Sequence, residues 1–165
     1  MVLGLTVVRK GDVHHLSGAL DETVDLSPFL AGKDRVLRLN LRGLRSINSL
    51  GLRKLIAFAK ALGDREVALT DCPTEFIEAV NIMPLVIGGQ SKIDRIKSVW
   101  VPMVCDALHQ APVTIPLADV RVGQLGVELP AVGCPTCGQA MALTVGTQAD
   151  DFFFFLLAAR GHAQD

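Results

Sequence analysis

The sequence predicts an α/β fold followed by a small β-rich module, and three observations carry this prediction. Between Val36 and Leu62 the spacing of apolar residues changes from the period of a strand to that of a helix. The later part of the chain has few charges and several turn signals, which is typical of short strands. That part also contains Cys134 and Cys137, whose spacing suits a metal ion. We therefore expect two units, residues 1–101 and residues 102–165.

Length and composition fit such a protein. The chain has 165 residues, enough for one ordinary domain and a small one, and half of them are apolar, so a packed core is expected. No apolar run approaches the roughly 20 residues that span a bilayer. The first residues lack a basic leader before a long apolar stretch, so no signal peptide is expected. We predict a cytoplasmic protein with no membrane partner.

The first elements are predicted as a β-hairpin and a short helix. Two apolar segments, Leu3–Arg9 and Val13–Ser17, are separated by the turn sequence Lys10-Gly11-Asp12. The segment Val24–Leu30 follows, and its pattern predicts a short helix although Pro28 interrupts it.

The central stretch predicts a strand, a polar loop and a capped helix. Leu37, Leu39 and Leu41 alternate with polar residues, which indicates a strand with one apolar face. A loop is predicted at Gly43–Asn48, and an amphipathic helix begins after it, capped by the side chain of Ser49 or Asn48. The loop lies at the carboxyl end of the strand, where functional groups collect in such sheets.

The remaining elements are shorter. We predict a strand at Val67–Thr70, a helix of about ten residues after Pro73, and a last strand that includes Ile93, Ile96, Val99 and Val101. Further short strands are predicted at Val113–Val122, Gly126–Leu129 and Ala140–Val145, and a helix at Phe152–Ala159. Four consecutive Phe residues cannot all face one core from one helix. This last segment either packs onto the N-terminal unit or forms a homodimer contact.

The order of three motifs resembles a STAS domain over roughly residues 1–100. They are Leu16-Ser17-Gly18-Ala19-Leu20-Asp21, then Ile47-Asn48-Ser49-Leu50-Gly51-Leu52, then Val67-Ala68-Leu69-Thr70 followed by Pro73-Thr74-Glu75-Phe76. The family includes bacterial anti-sigma-factor antagonists and the cytoplasmic tails of sulfate transporters. The resemblance implies a STAS-like mixed β-sheet packed with helices and a non-enzymatic regulatory role in bacterial signalling. It also implies a protein partner, an anti-sigma factor of the histidine-kinase-like ATPase type or another regulatory complex.

The resemblance places the partner-binding residues at the start of the central helix. They are Asn48, Ser49, Leu50, Gly51, Arg53 and Lys54. The serine that the family phosphorylates is Leu50 here, so a kinase-controlled switch is not expected at this position. The loop either docks a partner constitutively or only caps the helix.

The cysteines of the later unit resemble a zinc ribbon whose first knuckle is degraded, because Leu108 stands where a second cysteine is expected. A Cys-x3-His spacing allows His109 to replace that ligand, so the predicted zinc ligands are Cys105, His109, Cys134 and Cys137. Two alternatives stay open: a ribbon that has lost its metal, and redox use of Cys134 and Cys137. A zinc ion with four protein ligands would be structural, since no position is left for water.

Charge and motifs leave two other functional hypotheses. The segment from Lys33 to Glu66 contains nine Lys and Arg residues and three acidic residues, whereas the chain from Pro102 onward contains six acidic residues and two Arg. A nucleic-acid-binding ribbon protein could use the basic residues Arg42, Arg45, Arg53 and Lys54, although the acidic ribbon half argues against it. A thiol oxidoreductase could use the Cys-x-x-Cys pair. No phosphate-binding glycine loop is present, and no enzyme is predicted.

Overall fold

The chain has a mixed α/β arrangement, and the computed structural model describes it over residues 4–144 and 148–161. The strands are β1 Thr6–Lys10, β2 Val13–Leu20, β3 Val36–Ile47, β4 Glu66–Thr70, β5 Cys72–Pro73, β6 Ser98–Cys105, β7 Gln110–Pro116, β8 Arg121–Gly123, β9 Gly126–Glu128 and β10 Met141–Leu143. The helices are α1 Ser27–Ala31, α2 Ser49–Leu62, α3 Thr74–Ile82, α4 Ala149–Phe152 and α5 Phe154–Gly161. Short 3-10 helices cover Pro84–Ile87, Gln90–Arg95 and Leu117–Asp119.

The first sheet has the strand order β1-β2-β3-β4. Strands β1 and β2 are antiparallel and joined by a turn in which Gly11 has a φ of 62°. This confirms the predicted hairpin, whose proposed first residue, Leu3, lies outside the described residues. Strands β2, β3 and β4 are parallel; β2 and β3 end side by side at Leu20 and Ile47, whereas β4 ends opposite Asn40 of β3.

Strand β3 is longer than the sequence predicts. The segment Gly43–Asn48 was predicted as a loop, but the strand continues to Ile47. The reason is pairing with β2, because Ala19 lies opposite Ser46 and Leu20 opposite Ile47 after two register shifts. The polar residues of Gly43–Asn48 thus reflect the exposure of this strand end to solvent, although the segment is still hydrogen-bonded to β2.

Helix α2 confirms the predicted change of period. Its buried residues lie on one face, which packs onto the apolar side of the sheet. Asn48 is the cap, since its side-chain oxygen accepts from the amides of Leu50 and Gly51. Ser49, the alternative cap, is exposed.

The second sheet lies beside the first. Its strand order is β10-β6-β5, with β7 also paired to β6. A parallel bridge between Leu69 and Ile96 joins the edges of the two sheets. The last strand of the first unit was predicted to include Ile93, but that residue lies in a 3-10 helix, and β6 begins only at Ser98. Strand β6 continues without a break past residue 101, where the sequence analysis divides the chain, and that division stays a prediction.

The C-terminal strands are shorter than predicted. A single strand was expected at Val113–Val122, but β7 ends at Pro116, and a 3-10 helix separates it from β8. Pro116 is the last residue of β7, and proline donates no hydrogen bond to a neighbouring strand. Strand β10 falls within the predicted Ala140–Val145, of which Val145 lies outside the described residues.

The four Phe residues are accommodated by a break between two helices. Helix α4 ends at Phe152 and α5 begins at Phe154, and Phe152, Phe153 and Phe155 around this break are all buried. Phe154 stays 52% exposed. Asn81 of α3 fixes the helices, since it donates to the carbonyl of Phe152 and accepts from the amide of Phe155. A homodimer contact through Phe152–Ala159 stays a prediction.

Candidate functional site

Four metal-ligand side chains lie together at one end of strand β6. Cys105 and His109 flank the turn between β6 and β7, and Cys134 and Cys137 belong to the turn before β10. Three sulfurs and a ring nitrogen all lie within 4.8 Å of one another. The residues that the sequence predicts as metal ligands are thus close enough to hold one metal ion.

Three of the six separations among these atoms are close to those of a tetrahedral site. The sulfur of Cys105 lies 3.7 Å from Nδ1 of His109 and 3.7 Å from the sulfur of Cys137. The sulfur of Cys134 lies 3.8 Å from the same Nδ1 atom. Tetrahedral zinc with Zn–S bonds of about 2.3 Å separates its sulfurs by about 3.8 Å. A disulfide would need about 2.05 Å, and all four cysteines of the chain are free.

The first turn presents Cys105 and His109 on the same side. The amide of Leu108 donates to the carbonyl of Cys105 across 2.8 Å, and the amide of Cys105 donates to the carbonyl of His109 across 3.1 Å. Leu108 has a φ of 62°, which is unfavourable for a residue with a side chain. Its side chain is 80% exposed, so the unfavourable backbone is not compensated by burial of the leucine.

The second turn aims backbone amides at the sulfurs. The amide of Gly138, whose φ is 75°, donates to the carbonyl of Cys134 across 2.8 Å and closes the turn. The amides of Thr136 and Cys137 then point to the sulfur of Cys134, and the amide of Gln139 points to the sulfur of Cys137. Such contacts stabilise the negative charge of a thiolate, the form in which cysteine binds metals.

These contacts separate the acidities of two thiols in the metal-free protein. Burial raises the pKa of Cys134, but hydrogen bonds from the amides of Thr136 and Cys137 and from the thiols of Cys137 and Cys105 together outweigh it and lower that pKa to about 6. At Cys137 the amide of Gln139 lowers the pKa, yet desolvation and the neighbouring thiols together raise it above its ordinary value. Cys134 is therefore the first of the two to lose its proton.

The ligands differ in their access to solvent. Cys105 and Cys134 are 3% and 4% exposed, and His109 is half-buried. Cys137 alone is exposed. Four protein ligands complete a tetrahedral shell, so the geometry suits a structural ion better than one that binds and activates water.

The predicted partner-binding residues lie at the start of α2 and divide into two groups. The side chains of Ser49, Leu50 and Arg53 are exposed, and we call these three residues the helix-start surface. Asn48 caps the helix, Gly51 is buried, and the ammonium group of Lys54 donates to the carbonyls of Glu22 and Val24. The second group holds the helix against the chain that follows β2.

Gly51 allows the backbone of α2 to lie directly against the backbone at the end of β2. A Cβ atom at this position would lie 2.0 Å from the carbonyl oxygen of Leu20, which is far inside van der Waals contact. The amide of Asn48 donates to the same oxygen across 3.1 Å. The start of α2 is therefore fixed directly on the end of β2.

Sequence reasoning missed a polar cluster around Asp71, at the junction of the two sheets. Its carboxylate accepts from the side-chain amide of Asn40 across 3.0 Å and from Thr114 across 2.9 Å, and it pairs with Arg42 at 3.1 Å. The guanidinium of Arg42 also lies 5.3 Å from the centre of the Trp100 ring. One signal was available, because Asp71 directly follows β4, at the carboxyl end of a parallel strand where functional groups collect, and Asn40 of β3 is paired with Thr70, the last residue of β4.

Over residues 4–144 and 148–161, no helix is both long and apolar enough to cross a bilayer. The comparisons with known proteins identify no relative: no family model, no curated protein and no solved structure matches the chain.

Proposed function

We propose that this protein is a non-enzymatic regulatory module that binds another protein, and that one structural zinc ion holds its C-terminal part together. The observation that carries the zinc assignment is the set of 3.7–3.8 Å separations among ligand atoms of Cys105, His109, Cys134 and Cys137. Thiolates are soft ligands and imidazole suits zinc, so three thiolates and one imidazole in tetrahedral geometry favour zinc over magnesium or calcium.

The zinc ion would join segments that are far apart in the chain. Cys105 ends β6, whereas Cys134 and Cys137 lie about thirty residues later, between β9 and β10. Strand β10 pairs with the end of β6 through only three residues. A metal ion bound by both turns would hold β10 against β6 more firmly than this short pairing does. Because the ion binds only the folded protein, it would also stabilise the folded state.

Metal analysis of the purified protein tests this part. We expect one zinc per chain after refolding with zinc under reducing conditions, and a lower melting temperature after chelation. Replacing the ligand Cys137 with Ser should reduce the zinc content, whereas Cys72→Ala should not, because Cys72 is buried away from the cluster. A wild-type protein that binds no zinc under these conditions contradicts the assignment.

The proposed docking site is the helix-start surface. Leu50 is 44% exposed in the first turn of α2, although leucine gains free energy from burial. The helix is already anchored by Asn48, Gly51 and Lys54, so the exposed leucine is left for a partner. The STAS resemblance suggests an anti-sigma factor of the histidine-kinase-like ATPase type as that partner.

A pair of leucine variants tests the docking site. Leu50→Asp should leave the fold intact, because a carboxylate suits the first turn of a helix, and should weaken binding, because a charge is costly to bury in an apolar interface. Leu125→Asp is the matched control, since Leu125 is 98% exposed in the turn between β8 and β9. Both proteins are compared by circular dichroism and by pull-down from the native cell. Equal recovery of partners by Leu50→Asp and wild type would rule out this surface.

A further inference from the structure

We propose that the metal centre is redox-sensitive, with Cys137 as the residue that a peroxide oxidises first and whose oxidation releases the ion. This inference rests on the proposed zinc site and concerns its regulation. It follows from the unequal exposure of three cysteine residues that are otherwise equivalent as ligands.

Access decides which sulfur reacts. A bound metal ion keeps all of its cysteine ligands in the thiolate form, so protonation does not distinguish them. Cys105 and Cys134 are at most 4% exposed, whereas Cys137 is exposed, so an oxidant dissolved in water reaches the last of these directly. Exposed thiolates are the ones that oxidise.

A second thiolate lies close enough to Cys137 to form a disulfide with it. The sulfur of Cys105 lies 3.7 Å from that of Cys137, and the sulfur of Cys134 lies within 4.8 Å of it. Either can close a disulfide with a small rotation of the side chains, because a disulfide needs about 2.05 Å between sulfurs. Cys72 takes no part, since it is fully buried, and burial together with the charge of Asp71 raises the pKa of its thiol.

The oxidation balances with hydrogen peroxide as the oxidant. The thiolate of Cys137 attacks one oxygen of the peroxide, the O–O bond breaks, and a sulfenic acid and one hydroxide form. The thiolate of Cys105 or Cys134 then attacks the sulfenic sulfur, which forms the S–S bond and releases a second hydroxide. Two thiolates lose two electrons to the peroxide, and the two hydroxides take up protons to become water. After disulfide formation the chain would offer a metal ion only His109 and one remaining thiolate, which are too few to hold it.

Loss of the ion separates the two turns that it joined. The turn at Cys105–His109 belongs to the β6–β7 hairpin, and the turn at Cys134–Gly138 leads into β10. The pairing between β10 and β6 is then held only by its own hydrogen bonds. Oxidation should therefore loosen the C-terminal part of the fold.

The test starts with zinc-loaded, reduced full-length protein treated with hydrogen peroxide, with released zinc followed by a chromogenic chelator. We expect stoichiometric release. Trypsin cuts after Arg121, between Cys105 and Cys134. A Cys105–Cys137 disulfide therefore joins two tryptic peptides, whereas a Cys134–Cys137 disulfide stays within one, and either result supports the proposal.

Two histidine variants separate the roles of the sulfurs, because histidine replaces the thiolate as a zinc ligand. Cys137→His should slow the peroxide-driven release at least roughly tenfold, since the accessible thiolate is gone. Cys134→His should still release zinc, because Cys137 and Cys105 remain. Trapping of the sulfenic acid with dimedone in the wild type provides a readout without any variant, and the label should appear on Cys137.

The outcomes separate the two proposals. A reduced protein that holds no zinc contradicts the proposed function and overturns the redox inference with it. A zinc-loaded protein that keeps its ion in peroxide, or that is first labelled at Cys105 or Cys134, overturns the redox inference alone.

Discussion

The hydroxyl of Thr114 donates a hydrogen bond across 2.9 Å to the carboxylate of Asp71, and this contact connects the two sheets. Thr114 lies in β7 of the second sheet, whereas Asp71 directly follows β4 of the first. The same carboxylate holds Asn40 and Arg42 of β3. One side chain therefore fixes the junction between the sheets.

We expect Asp71→Ala to lower the free energy of unfolding by about 2 kcal/mol, because it leaves several donors without their charged acceptor. The backbone adds to the cost, since Asp71 has a φ of 50° that alanine tolerates poorly. Asp12→Ala is the control, because it removes an exposed ion pair with Arg38 and should cost under about 1 kcal/mol. Urea denaturation of both variants measures the difference, and equal losses would show that the Asp71 cluster does not hold the sheets together.

Gly51→Ala should destabilise the protein by about 3 kcal/mol, because the added methyl group collides with the carbonyl oxygen of Leu20. Gly63→Ala is a suitable comparison. A Cβ atom at Gly63 meets nothing within 4 Å, so only its backbone conformation, with φ 52° and ψ −125° in a region that favours glycine, opposes the substitution, at a cost of about 2 kcal/mol. Thermal melts of the two variants should differ accordingly, and a well-tolerated Gly51→Ala would contradict the close contact between α2 and β2.

Leu108→Gly should raise the free energy of unfolding by up to about 1 kcal/mol, because glycine adopts a φ of 62° without strain. Little is lost with the side chain, which is 80% exposed. Leu125→Gly serves as the control, since Leu125 is also exposed but does not have a positive φ. The expectation fails if the two glycine variants change chemical denaturation in the same way.

The metal-free protein should lose stability as the pH falls towards 6. The pKa of Cys134 is lowered to about 6 in the folded chain, against about 8.5 for an unperturbed thiol. A depressed pKa stabilises the folded state above the unfolded value, and this contribution disappears as the pH falls through the folded value. Thiolate absorbance should titrate near pH 6. Denaturation of wild type and Cys134→Ser between pH 6 and 8.5 isolates the effect, and identical pH profiles would refute it.

Local patterns predicted the central elements well. The alternation of leucines before Arg42 and the helical spacing after Ser49 each reflect a single face that must be buried, and such faces are visible in the sequence. The metal ligands were predicted for a similar reason. Two residues that bind one metal ion from the same turn must be a few positions apart. The Cys-x-x-Cys and Cys-x3-His spacings were therefore enough to predict which four residues lie together.

Features that depend on distant pairing were not visible. The exposed end of β3 looks like a loop because only its partner β2 makes it a strand. In the cluster around Asp71, Thr114 is 43 positions away from Asp71 and 72 positions away from Arg42, and no local spacing connects them. The break at Phe153 likewise involves a distant residue, since Asn81 of α3 bonds to the backbone of Phe152 and Phe155, although the sequence did predict that one straight helix could not bury all four Phe residues.

Strand β6 has a practical consequence for anyone who divides this chain for expression. A fragment that ends at residue 101 stops in the middle of β6, which runs from Ser98 to Cys105. It would carry Val99 and Val101, both completely buried in the intact protein, but not the β7 residues that pair with them. The unpaired strand edge of such a fragment could pair with strands of other chains. Fragments of the N-terminal part should therefore aggregate unless they extend through Pro116, and the reciprocal fragment would begin without half of its central strand.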